Sequence, residues 1–123
     1  MRALVLLLAM LLACSLPDSP QPIAWNKEPC AHCHMLIGDP AYAAQIITKD
    51  GTVLSFDDPD CAARYIAEHH PAIHRAWFHA GRGDEWIPIG DVAFIHAPTS
   101  PMGSGLAAVR RGTPGAIALG DLP

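Results

Sequence analysis

The chain has 123 residues, half of them hydrophobic, with 8 Lys and Arg against 12 Asp and Glu and a formal net charge of −4 with His neutral. A nucleic-acid binder needs a cationic patch to displace counterions from phosphates. Here the one adjacent basic pair is Arg110-Arg111, so that class is excluded. The length fits one domain of ordinary size or two very small subdomains.

Met1-Arg2 is followed by an uncharged run from Ala3 to Ala13, the charged and apolar regions of a secretory signal peptide. Crossing a bilayer takes roughly 20 apolar residues, so the run is an address and not a span. It closes on Leu11-Leu12-Ala13-Cys14, which resembles the lipobox of bacterial lipoproteins. That resemblance implies removal of residues 1–13, lipidation of Cys14, and a periplasm-facing protein held to a membrane, with Ser15 favouring the outer membrane. Several acyl chains at one point anchor stably, each buried methylene contributing about 0.8 kcal/mol. Pro17, Pro20, Pro22 and Pro29 forbid a helix over residues 14–29, which read as an extended tether, with the folded domain over residues 30–123.

Two β-prone runs, Ala41 to Thr48 and Thr52 to Phe56, flank Lys49-Asp50-Gly51 and predict a hairpin. Asp57-Asp58 offers cap acceptors before Pro59. Cys61, Ala62, Tyr65, Ile66 and His69 then recur on one helix face, so a helix is expected over residues 59–69, stopped by Pro71. Further strands are expected at Ile73 to Ala80, Val92 to His96, Leu106 to Val109 and Ala116 to Leu119, with a loop at Gly81 to Asp84. The order β-β-α followed by more strands is an α+β fold with antiparallel pairing.

With Cys14 set aside, Cys30, Cys33 and Cys61 are an odd number in a disulfide-permissive compartment, so one thiol must be free or bound. The segment Cys30-Ala-His-Cys33-His34-Met35 packs two thiols, two imidazoles and a thioether into six residues. A tight turn brings both cysteine sulfurs to one side, where they can share a metal. Thiolate and thioether are soft ligands that select Cu(I) or zinc, and methionine moves the preference to Cu(I). Cys61, at a helix N-terminus, is a candidate third sulfur or a small core residue. Met35 and Met102 are candidate thioether ligands against the bland reading of core fillers. The glycine after Met102 leaves its backbone free to approach a site.

Three other readings use the same residues. Cys30-x-x-Cys33-His34 is the attachment pattern of c-type haem, with Met102 as a distal ligand, though small c-type cytochromes are helical and this pattern is not. A thioredoxin-type dithiol needs a long helix after the motif, which Pro40 forbids. A Cys30–Cys33 disulfide leaves Cys61 and both methionines unexplained. His69, His70 and His74 gather at a helix end, where solvated histidines are usual. Asp57, Asp58 and Asp60 read as capping groups, and no nucleophile with a base at motif spacing supports an enzymatic activity.

Taken in order, Cys14, the Cys30 to Met35 block, Tyr42-Ala-Ala-Gln45, Asp50-Gly51, Phe56-Asp57-Asp58 with Cys61, and Thr99 to Leu106 resemble the NosL family of copper-binding accessory lipoproteins of nitrous oxide reductase maturation. The resemblance implies ββα-type units, one Cu(I) per chain, and delivery to an acceptor, nitrous oxide reductase or its assembly machinery. Carried over residue by residue, it implies Cys33, Met35 and Met102 as ligands, with Cys30 and Cys61 as additions. His34 stands where Gly or Asn is frequent in the family, and no second helix pattern follows the later strands.

Overall fold

The computed structural model describes residues 15–123; the signal-peptide and lipidation readings of residues 1–14 lie outside them. Among the described residues no helix is long and apolar enough to cross a membrane.

The fold is α+β, as expected. The hairpin forms from β1 (Ala44–Thr48) and β2 (Val53–Phe56) in antiparallel register, with Ala44 opposite Phe56. Its turn is held by the Asp50 carboxylate, which accepts from the Thr48 hydroxyl and from the Thr52 N–H at 3.1 Å, while Gly51 takes φ 89°. The first strand starts later than the β-prone run. Asp39 caps a short 3-10 turn at Pro40–Tyr42 by accepting from the Ala41 N–H, and the chain becomes extended only beyond it.

Helix α1 (Pro59–His69) has the expected bounds. Asp58 caps it, Pro59 supplies the preset first-turn φ, and His70 ends it in the left-handed conformation at φ 45° before Pro71. Strands β3 (Ile73–His79) and β4 (Trp86–Pro88) complete a four-stranded antiparallel sheet in the order β2-β1-β3-β4. The three-residue β4 has no counterpart among the expected elements. Pro88 cannot donate to a ladder, and the strand exists because it is an edge.

A second, three-stranded sheet is built from β5 (Val92–His96), β6 (Leu106–Arg110) and β7 (Ile117–Ala118) in the order β6-β5-β7. The last strand is shorter than expected, because the chain turns into a 3-10 turn at Leu119–Asp121. Phe78 and Phe94 meet edge to face with centroids 5.1 Å apart and join the two sheets across the core. Phe56, Ile46, Ile37, Ala62 and Cys61 extend that core to the helix.

The tether expectation needs correcting. The segment forms neither helix nor strand, but it is not extended throughout: it turns at residues 24–28, where the Lys27 and Glu28 N–H groups donate to the Ala24 carbonyl at 3.0 and 2.8 Å, and it is laid against the domain well before Pro29. The Gln21 N–H donates to Gln45 Oε1 at 2.6 Å, and Gln45 Nε2 returns a bond to the Gln21 carbonyl at 3.2 Å. Ile23 is buried, and Asp18 pairs with His74 and Arg75. The folded part therefore begins near Asp18, and the buried Gln45 side chain on β1 takes partners from the Gln21 backbone as well as from the Ser55 hydroxyl.

Candidate metal centre

The segment from Pro29 to Leu36 closes on itself. Pro29 and Leu36 form an antiparallel bridge, the Cys30 N–H donates to the Met35 carbonyl at 2.8 Å, and the His34 N–H donates to the Cys30 carbonyl at 3.0 Å. Reversing the chain within so short a loop requires one left-handed residue, and that residue is His34, at φ 66°. Glycine and asparagine adopt this conformation at least cost, so a histidine here carries a strain from its Cβ.

The Ala31 N–H donates to the Ser55 carbonyl at 2.8 Å and pins the loop to the end of β2. Helix α1 starts just beyond β2 and brings Cys61 in its first turn to the same place. The outcome is that Cys30, Cys33 and Cys61, all unpaired, have their sulfurs within 4.8 Å of one another. Cys30 and Cys61 are buried and Cys33 is half-exposed.

The three thiols share protons. The Cys61 thiol and the backbone N–H groups of Cys33, Asp57 and His32 hold Cys30 down to about 4 against the opposing effect of burial. The same bond to Cys30, together with burial, pushes Cys61 far up. Burial is also the main cause that raises Cys33. Near neutral pH the group therefore carries one thiolate and two protonated thiols. Burial raises the neighbouring Asp57 carboxyl, and the charge on Cys30 adds to this, against a bond from the Gly38 N–H at 3.3 Å.

Met35 and Met102 are not core fillers. Both are exposed, on loops flanking a shallow groove of about 450 Å³ lined by Met35, Leu36, Asp57, Thr99, Ser100 and Pro101, with Met102 next along the chain. The expected ligand set thus divides into a trio of thiols, two of them buried, and two exposed thioethers on loops, called the rim below.

Asp58 is fully buried and does more than cap the helix. Its Oδ1 accepts from the Asp60 N–H at 2.9 Å and from the Ser104 hydroxyl at 2.6 Å, and its Oδ2 accepts from the Met102 N–H at 3.1 Å. The sequence signal for the cap was plain, but the two remaining bonds join residues far apart in the chain. The paired hydroxyls of Ser100 and Ser104 around Met102 were the available hint.

The other readings of the cysteine motif fare less well. Covalent haem needs both cysteines at a surface open to a porphyrin, yet Cys30 is wholly buried against Cys61. A thioredoxin-type helix does not follow the motif; a 3-10 turn and a strand do. No disulfide joins these cysteines. His69 and His70 are exposed, as solvated groups should be, while His74 is bonded to Asp18 at 3.1 Å.

No family profile and no curated protein sequence matches the chain. Among solved structures, the crystal structure of the copper chaperone NosL from Shewanella denitrificans is similar. It is 16% identical, the match covers 83% of this chain and 80% of that one, and the TM-score is 0.57. The likeness shows a shared fold.

Proposed function

We propose that this chain is a copper chaperone that carries one Cu(I) on the thiols of Cys30, Cys33 and Cys61, with Met35 and Met102 at the rim, and hands it to an acceptor protein. The observation that carries the reading is three unpaired sulfurs within 4.8 Å of one another. A soft, all-sulfur donor set suits Cu(I), whereas a zinc site of the usual kind closes a tetrahedron with a fourth ligand. The fold shared with a protein described as a copper chaperone supports the same reading.

Copper is cargo here, and the chain's residues set how it is held and released. The thiolate of Cys30 is ready at neutral pH, and loading displaces protons from Cys33 and Cys61. Half-exposed Cys33 and the flexible thioethers face the solvent side, where an acceptor thiolate or imidazole can join before the donors let go. Exchange of this kind never frees the ion.

The reading extends to location and target. Cys14 is the lipid anchor, the domain faces the periplasm from a membrane, the outer one favoured, and the acceptor is nitrous oxide reductase or its assembly machinery. The lipobox and the family resemblance support this part. Metabolic labelling with a fatty acid, lost in Cys14→Ser, tests the anchor. For the metal, the reduced chain is titrated with Cu(I) against a chromogenic chelator while its visible spectrum is recorded. One Cu(I) retained per chain with no Soret band is expected; no retention overturns the proposal, and a Soret band transfers it to haem.

A further inference from the structure

We propose that Asp58 is a positioning residue of this site: its buried carboxylate locks the loop bearing Met102 to the helix end that carries Cys61, and so fixes where the Met102 thioether can act. The inference rests on the copper reading above and goes beyond it by assigning a role to a residue that has no soft ligand to offer.

A helix cap needs one acceptor oxygen, and Ser, Thr or Asn supplies it as well as Asp does. Asp58 accepts three hydrogen bonds on two oxygens, and only one of them is the cap. The other two donors are the Met102 N–H and the Ser104 hydroxyl, which belong to the loop between β5 and β6. Serine or threonine would offer a single oxygen. Asparagine would keep Oδ1 but aim an N–H at the Met102 N–H, donor against donor. The carboxylate is therefore matched to the loop and not to the helix alone.

The loop is otherwise organised from within. Ser100 Oγ accepts from the Gly105 N–H at 3.0 Å, the Ser100 carbonyl accepts from the Gly103 N–H at 3.0 Å, and Gly103 and Gly105 take φ 68° and 72°. Those bonds shape the loop, and none of them reaches outside it. The bonds to Asp58 are charge-assisted and shielded from water, and they are what fasten it to the thiol side of the molecule.

The test is a double-mutant cycle on full-length protein in detergent, read as Cu(I) affinity by chelator competition. Asp58→Asn should weaken binding by up to about 10-fold, no more than the loss of Met102 itself, and should add nothing in a Met102→Ala background. X-ray absorption at the copper edge should show one sulfur fewer in Asp58→Asn than in the parent. Ser104→Ala should give a smaller loss that also vanishes without Met102, and it carries the cycle if Asp58→Asn fails to fold. Equal losses in both backgrounds, or no loss with Met102 present, would mean a structural cap only and overturn the inference. Copper held by the thiols with Asp58 and Met102 uncoupled sinks this inference alone; a parent protein that retains no copper takes down both readings.

Discussion

The thiol trio and the thioether rim are built from the same soft chemistry and placed in opposite surroundings. Cys30 and Cys61 are 0% and 3% exposed and belong to the core cluster, whereas Met35 and Met102 are 54% and 40% exposed on loops. Buried sulfurs are fixed by packing and by backbone N–H groups, so they are preorganised and bind without ordering cost. Exposed thioethers on three rotatable bonds are adaptable but lose freedom when they engage. On the proposed copper reading the difference implies a division of labour, in which the trio would set how tightly copper is held and the rim how readily it moves.

Removing a thiol should break that division most severely. Cys30→Ser, Cys33→Ser or Cys61→Ser should each lower Cu(I) affinity on the order of 10³-fold, about 4 kcal/mol, in chelator competition. An equal loss on removing either methionine would erase the distinction between trio and rim.

The second test uses protons. Cys30 is ionised above about 4, while Cys33 and Cys61 are raised and remain protonated at neutral pH, so filling the trio releases up to two protons. Affinity should therefore climb between pH 6 and pH 8 by roughly one to two decades per pH unit, and fall as the medium is acidified. Thioethers bind no protons, so a site made of the Cys30 thiolate and two methionines would show little such slope. A flat profile would favour the rim over the trio.

How much of this the sequence discloses follows the same split between local and tertiary causes. Helix α1 was legible to its bounds because Pro59, its cap and Pro71 are all local signals, and the hairpin because Asp50-Gly51 sits between two β-prone runs. Strand β4 was not, since three residues with Pro88 among them carry no periodicity and gain their place only from the edge of β3. The packing of Gln21 and Ile23 also escaped, because proline-rich composition predicts extension and says nothing of what the extended chain lies on. At the site, the nearness of Cys30 to Cys33 was legible in their spacing. Their meeting with Cys61, and the reach of Asp58 to Met102, depend on how β2 delivers the chain into α1, which no local pattern encodes.

The rim predicts a kinetic effect larger than its thermodynamic one. Met35→Ala and Met102→Ala should each cost about tenfold in affinity, about 1.4 kcal/mol, and should change the rate of copper transfer to an acceptor or chelator by more than that. Stopped-flow transfer beside equilibrium competition separates the two. If both rates scale with affinity alone, the methionines are ordinary ligands and the rim has no separate role.

The smallest effect concerns the loop that holds the trio's two closest cysteines in the chain. His34 is exposed and left-handed, a conformation that costs a residue with a Cβ roughly 1–2 kcal/mol, part of which glycine recovers and part of which it forfeits in unfolded-chain entropy. His34→Gly should therefore stabilise the apo-protein by about 0.5–1 kcal/mol, raising Tm by a few degrees in calorimetry. Copper affinity should stay within about twofold of the parent, because the bonds that close the loop run through the backbone of Cys30, His34 and Met35 and not through the imidazole. A clear loss of affinity with an unchanged Tm would place the His34 ring among the copper ligands and extend the rim beyond its two methionines.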